Sequence, residues 1–292
     1  MLPGQFEVVA EGLGFPEGPV VMPDGSVLVV EIFAGRVTRC WGGGRTEVVA
    51  EVGGGPNGAA LGPDGALYIC NNGGAWTPNY TVGRIERLDL GTGKVERLYD
   101  HAGEHALGAP NDLVFDAHGG IWFTDFGRPE PRWAGKAGVY YCKPDGGEIV
   151  EASFGGFEYN GVGLSPDGGT LYVATTGSGR LYSVPVDAPG VLSPPLRGAA
   201  GPGRVLAAPG GDSSFDSLAV TASGSICVAS LWPYGVTTVT PGGVVSFTPL
   251  PDTHVTNIAF GGDDMRDAYV TLSNSGRLVK MRWPEPGLRL NF

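Results

Sequence analysis

One short pattern recurs six times along the chain: a polar residue, three to five mainly apolar residues, a turn, then a second apolar run. The copies align without gaps, as EGPVVMPDGSVLVVE from Glu17, NGAALGPDGALYIC from Asn57, NDLVFDAHGGIWFTD from Asn111, NGVGLSPDGGTLYVATT from Asn160, DSLAVTASGSICVAS from Asp216 and NIAFGGDDMRDAYVTL from Asn257. A repeat of forty to fifty-six residues is a supersecondary unit that buries its apolar faces only against its neighbours. That excludes most folds at once.

The turn residue stands seven places after each opening residue, at Asp24, Asp64, His118, Asp167, Ser223 and Asp264, and Gly follows at once in five of the six. Asp-Gly or Ser-Gly between runs rich in Val, Ile, Leu and Tyr is hairpin chemistry, because Gly takes the positive φ the turn requires. Two further strand-like runs follow most hairpins, such as RVTRCW with TEVVA, RIERLDL with KVERLYD, and GVYYCK with GEIVEA. Four strands per repeat predict an all-β, six-bladed β-propeller of four-stranded antiparallel blades, one domain spanning residues 1–292. The last repeat offers only three strands, ending at Arg277 to Trp283, while an unpaired strand candidate, Phe6 to Ala10, opens the chain. The N-terminal strand is therefore expected to complete the last blade and leave no long free edge.

Composition agrees: 51 Gly and 24 Pro supply turns, and 42% hydrophobic residues supply a core. The formal net charge of -11, with no Lys and Arg run to track phosphates, argues against nucleic acid. No basic segment followed by an apolar stretch opens the chain and no apolar run reaches membrane-spanning length, so a soluble, cytoplasmic protein acting on a small molecule is expected. Cys40, Cys70, Cys142 and Cys227 form no CxxC pair and read as buried free thiols.

The first strand of every blade lines the channel, and all six run the same way along it. Glu17, Asn57, Asn111, Asn160, Asp216 and Asn257 must then ring one mouth, with the hairpins at the other end. The longer loops return to the polar mouth and carry Trp76 and Tyr80, Arg128 and Trp133, Trp232, Glu158 and Tyr159, and His101 and His105. The proline-rich Val186 to Gly201 connection falls at the far end as decoration. A lone Asn or Asp at a strand start is commonly a turn residue. Six converging on one axis make a site of oxygen acceptors, and two carboxylates there repel each other unless a cation intervenes. Oxygen ligands without thiolate or imidazole favour one hard divalent ion, Ca²⁺ first, with Mg²⁺ or Mn²⁺ within range and Zn²⁺ less natural.

His254, three residues before Asn257, is a candidate acid, base or hydrogen-bond donor, whereas His118 reads as a solvated turn residue. Trp76, Trp133 and Trp232 are candidate substrate contacts, with Asn57 and Asn111. No G-x-S-x-G motif exists, and no Ser, His and acidic residue take matching ring positions for a nucleophilic triad.

Taken as a set, FPEGPV around Glu17, APNDLVFDAHGGIWFTD around Asn111, YNGVGLSPDGGTLYVATT around Asn160, FDSLAV around Asp216 and TNIAFGG around Asn257 resemble the senescence marker protein 30, gluconolactonase and luciferin-regenerating enzyme family. The resemblance spans almost the whole chain. It implies a six-bladed propeller with one metal in its channel, Glu17, Asn160 and Asp216 as ligands, Asn111 beside the metal, its water or the substrate, and hydrolysis of a lactone. Where sugar-lactone hydrolases of that family tend to carry Arg two residues before the Asn of the ND pair, this chain has Ala109, which points to a less polar substrate. Asp216 is the candidate base for the attacking water. The same ion would equally support a lyase, isomerase or carbon-carbon hydrolase working through an enolate, or a non-catalytic binding propeller stiffened by its metal.

Overall fold

In a computed structural model, which describes residues 5–130, 133–195 and 201–292, each of the six repeats opens an antiparallel sheet, and the sheets are arranged as a six-bladed β-propeller. The inner strands are Pro16–Val21, Pro56–Leu61, Pro110–Phe115, Tyr159–Leu164, Ser214–Val220 and Val255–Gly261. Each packs against the inner strand of the next blade, and the sixth packs against the first, so the ring closes. Among the described residues there is no helix, and hence none long and apolar enough to cross a membrane.

Second strands are sandwiched between neighbouring blades, which is why they read as unbroken apolar runs: Val27–Glu31 and Leu67–Asn71 are buried at every position. Outermost strands face water and read accordingly, as in the largely exposed RTEVVAE of Arg45–Glu51. Among the described residues the buried side chains fall into six clusters, one per seam. Leu28, Val30, Leu67 and Ile69 join blades 1 and 2, and Tyr68, Phe115, Phe123 and Tyr140 join blades 2 and 3. Each fully buried aliphatic or aromatic side chain contributes about 1.5–3 kcal/mol, so the ring is held at its seams rather than by one central core. All four cysteines lie in these layers, buried and free, and burial pushes the Cys40 and Cys227 thiols up to about 12.

The N-terminal strand does complete the last blade. Glu7–Ala10 lies outside Arg277–Arg282, with Glu7 opposite Lys280 and Val8 opposite Val279. Blade 4 departs from four strands: its third strand, Arg180–Ala188, pairs with Arg204–Ala207 and also with the short Val191–Leu192. Part of that proline-rich connection, residues 196–200, lies outside the described residues.

The hairpin turns carry the expected chemistry. Gly25, Gly65, Gly119, Gly168 and Gly224 all take positive φ, between 71° and 85°. In the sixth repeat Met265 occupies that place and adopts the same left-handed conformation, φ 57°. His118 is such a turn residue, its N–H donating to Asp116. Residues 284–292 then pass under the hairpin end of the inner strands: Ala222 N–H donates to the Pro286 carbonyl, Leu288 N–H to that of Val220, and Asn291 Nδ2 to that of Phe115. This segment thereby links blade 6 to blades 5 and 3 at the end opposite the polar ring.

Candidate metal and active site in the channel

Every inner strand breaks register with its second strand at the ring position, and always in the same sense. Glu17 pairs with Val30 and Val20 with Leu28, so three steps on the inner strand match two on its neighbour. The same extra residue appears between Pro56 and Ala59, Pro110 and Leu113, Tyr159 and Val162, Phe215 and Leu218, and Val255 and Asn257. A bulge re-aims side chains that strict alternation would send elsewhere. Six bulges at one level make the ring.

Glu17, Asn57, Asn111, Asn160, Asp216 and Asn257 are all buried. Close packing of the inner strands keeps them so. A side chain on Gly58 would begin 2.5 Å from the Asn111 carbonyl oxygen and 2.6 Å from the Asp112 Cα, so only glycine fits after Asn57.

Contacts within the ring divide its members into holders and groups left available. Asn257 is committed at both ends, its Nδ2 donating to Glu17 Oε2 at 2.9 Å and its Oδ1 accepting the Ile258 N–H at 2.8 Å. Glu17 Oε2 also accepts the Gly18 N–H at 2.9 Å. Asn160 Nδ2 donates to Thr176 Oγ1 at 3.0 Å, while the Ser217 hydroxyl approaches Asn160 Oδ1 at 3.5 Å. Asn111 Oδ1 is a buried acceptor without a hydrogen-bond partner. An orphan of that kind in a native interior calls for an explanation.

A third carboxylate that the repeat pattern did not single out stands beside them. Asp112 is buried, accepts the Leu113 N–H at 2.9 Å and reaches across the seam to the Val162 N–H at 3.4 Å. Burial lifts it to about 7, despite the backbone donors that favour its charged form. Burial likewise lifts Glu17 to about 7, opposed by the Asn257 and Gly18 donors and reinforced by Asp112. Asp216 is pushed well above the carboxylate range, by burial first and by the Glu17 charge next. The leading influences on these three groups include no Lys, Arg or His. Three carboxyls raised by burial, with the Asp112 charge acting on Glu17 and Asp216 and the Glu17 charge on Asp216, and with an unpaired amide oxygen in the same ring, form a donor set that suits a hard cation. Among the described residues no group of three or more His, Cys, Asp or Glu is arranged as a metal cluster, so an ion held here would have to draw on amide oxygens as well as carboxylates.

Around the mouth the loops bring up aromatic pairs. Trp76 meets Phe126 edge-on at 5.6 Å, and the Phe126 N–H donates to the carbonyl of Ala109, two residues before Asn111. Trp232 and Tyr234 pack at 4.9 Å, and Phe15 packs against Phe33 at 4.8 Å and His254 at 5.7 Å. Trp76 and Trp232 are each 45% exposed. Trp133 lies in the short strand Trp133–Ala134, and its side chain is outside the described residues. His254 is tied to its own loop, its N–H on Asp252 Oδ1 at 2.8 Å and its Nδ1 near Thr253 Oγ1 at 3.2 Å. His105 lines an open recess of about 410 Å³ over the flank of blade 3 with Arg128, Lys136 and Phe154, and His101 pairs with Asp100. Phe15 and Glu158, each two residues before a ring member, adopt φ of 62° and 53°, and such strain gathers at sites where geometry is dictated from outside.

Comparison with known proteins agrees with this architecture. The family model for the SMP-30/Gluconolactonase/LRE-like region matches residues 15–274. Among curated proteins, a lactonase (drp35) of Staphylococcus saprophyticus is 38% identical over 86 residues, 30% of this chain and 26% of that protein, so the match spans about a quarter of that relative's length. Two solved structures superpose over nearly the full chain. A calcium-binding protein, regucalcin, from Agrobacterium tumefaciens gives a TM-score of 0.78 at 21% identity over 99% of this chain and 98% of that one. A gluconolactonase from Xanthomonas campestris gives 0.76 at 24% identity over 95% and 89%. At such identities these likenesses speak for the fold alone. With the family model covering all but the two ends of the chain, this protein belongs to the SMP-30/gluconolactonase/LRE-like family.

Proposed function

We propose that this protein is a divalent-metal-dependent hydrolase that opens a lactone at the polar end of its channel. Membership of a family that includes gluconolactonases supports lactone hydrolysis, and the observation that carries the site is the set of buried carboxyls, Glu17, Asp112 and Asp216, around the unpartnered Asn111 oxygen. Glu17, Asn160 and Asp216 would hold the ion, Ca²⁺ in the first place, with the Asn111 oxygen turned to the ion, its water or the substrate. When bound, such an ion polarises a carbonyl oxygen presented to it and offsets the negative charge that develops there, an effect worth several kcal/mol.

The chain's own residues do the rest. Asp216 takes a proton from the attacking water, a role worth roughly 10²- to 10⁴-fold in rate. A bond forms from the water oxygen to the acyl carbon, the ring C–O bond breaks, and the proton passes to the departing alkoxide. Asn57 and Asn111 meet polar atoms of the substrate, and His254 meets it at the rim beside Phe15. Burial keeps bulk water from the carboxyls, and Asn257 keeps Glu17 oriented.

Trp76, Phe126, Trp232 and Tyr234 rim this mouth, and the position where a guanidinium would favour a polyhydroxylated ligand holds Ala109, which is fully buried. The proposed substrate is therefore an alkyl or aryl lactone rather than a sugar lactone. A panel of both kinds, assayed with chelator and again after calcium is returned, tests this reading. Activity on the apolar lactones that vanishes and returns supports it, whereas chelator-insensitive turnover, or turnover confined to aldonolactones, overturns it.

A further inference from the structure

A bulge removes backbone groups from the sheet ladder, and when buried those groups need other partners. At the seam of blades 3 and 4 one such partner is a side-chain hydroxyl, and at the seam of blades 6 and 1 a hydroxyl holds the carbonyl just before the bulge. In blade 3 the Asp112 N–H donates to Thr124 Oγ1 at 3.2 Å, and Thr124 Oγ1 in turn donates to the carbonyl oxygen of Asn160, in blade 4, at 2.5 Å. A hydroxyl has one proton to give and two lone pairs, so the order of the chain is set: Asp112 N–H to Thr124, Thr124 O–H to Asn160. Across the ring, Ser273 Oγ donates to the Pro16 carbonyl at 2.5 Å, with Thr256 Oγ1 2.5 Å from Ser273 and 2.8 Å from Thr271. Thr124, Thr256, Thr271 and Ser273 are all buried.

Register identifies the residues that match Thr124 in the other second strands, each preceding the partner of the last paired inner residue before the ring member: Val30, Cys70, Ala174, Ala229 and Thr271. Only blades 3 and 6 carry a hydroxyl there. The blades that follow them, 4 and 1, present Asn160 and Glu17. Hydroxyls thus stand at the seams that lead into two of the cation-holding residues, while the same place in blades 1, 2, 4 and 5 is filled by an aliphatic side chain or a cysteine.

We propose that Thr124 is a positioning residue: its hydroxyl ties the bulge carrying Asn111 and Asp112 to the bulge carrying Asn160, and so sets the spacing of cation-binding side chains across that seam. Ser273, supported by Thr256 and Thr271, does the same for Glu17 on the opposite side. This rests on the cation-binding reading of the ring given above.

The test compares wild type, Thr124→Val and Thr124→Ser, each stripped of metal, by calorimetric titration with calcium chloride, with metal-free melting temperatures recorded alongside. Loss of an outer hydrogen-bond partner of a metal ligand typically weakens binding about 10- to 100-fold. The Val variant, close in shape but without the hydroxyl, is expected to bind calcium that much more weakly, and the Ser variant to stay within about threefold of wild type. Turnover should follow calcium occupancy, so that saturating calcium restores kcat to the Val variant while its apparent calcium requirement stays raised. Unchanged calcium affinity in the Val variant, even with a lower melting temperature, would reduce Thr124 to a structural role and overturn the inference. Should Thr124→Val fail to fold, Ser273→Ala provides the same readout at the opposite seam, with the same two outcomes. A wild-type protein that binds no calcium or other divalent ion would remove the cation reading itself, and this inference with it, a result distinct from a wild type that binds and a Val variant that binds equally well.

Discussion

Replacing Glu17 by Gln should make the metal-free protein more stable at pH 8, although it removes a residue central to the proposed function. Burial holds the Glu17 carboxyl at about 7 against an ordinary 4.5, a difference equivalent to about 3 kcal/mol when the group is forced to ionise. Because the folded value is the higher one, the unfolded chain gives up this proton first. The stability contributed by protonated Glu17 is thus complete below pH 4.5 and lost as pH rises through about 7. Gln keeps an oxygen for the Asn257 and Gly18 donors but carries no charge, and it also relieves Asp216, whose proton affinity is raised in part by Glu17. Urea unfolding in chelator at pH 4.5 and pH 8 should therefore find the variant close to wild type at the lower pH and up to about 3 kcal/mol more stable at the higher. Saturating calcium should reverse the order at pH 8, since wild type gains binding energy that the variant has lost. A variant less stable than wild type in chelator at pH 8, or a difference that ignores pH, would refute the idea that the ring carries uncompensated buried charge.

Three further outcomes follow from particular residues. Met265→Gly should stabilise the protein by about 0.5–1 kcal/mol, because a left-handed L-residue costs about 1–2 kcal/mol and glycine returns only part of that as unfolded-state entropy; thermal unfolding that shows destabilisation would contradict it. Gly58→Ala should cost about 1–3 kcal/mol or more, since its new methyl would meet the backbone of Asn111 and Asp112; a neutral result in denaturant melts would show that the inner strands can spread. Trp76→Ala should lower kcat/KM on aryl lactones about 10-fold, the scale of a lost aromatic contact, with little change on small unsubstituted lactones; an equal loss on both would assign Trp76 to loop folding instead.

Much of this architecture was legible because a propeller repeats its instructions. Spacing from ring residue to hairpin held in all six copies, and the missing fourth strand of the last blade was matched by Glu7–Ala10 at the start of the chain. The bulges were not legible, since an extra residue in a strand leaves no mark in an apolar run. They are also why Asp112 was passed over: strict alternation sends the neighbour of a channel residue away from the axis, and the bulge keeps both close to it. A trace existed even so. The place after the ring residue is Gly18, Gly58 and Gly161 in three blades, and a carboxylate in that column, at 112, is out of keeping with its neighbours. Asn257 illustrates the opposite limit, because composition alone cannot tell an amide that faces a ligand from one whose oxygen and nitrogen are both spent on Ile258 and Glu17. Met265 in a glycine's place shows tertiary packing overriding turn preference, held there by the Gly262 carbonyl before it and the Gly287 N–H that closes on its own.

The central claim is that a hard divalent ion sits between Glu17, Asn160 and Asp216. A crystal structure of the protein grown with calcium, with anomalous scattering used to locate the ion, addresses it directly. The expected result is a single strong peak at that level of the channel, with oxygens of those three side chains at calcium distances of about 2.3–2.6 Å and the Asn111 oxygen turned toward it. A channel that stays free of anomalous signal at saturating calcium, or an ion bound at another place with the Glu17, Asn160 and Asp216 oxygens left uncoordinated, would contradict it.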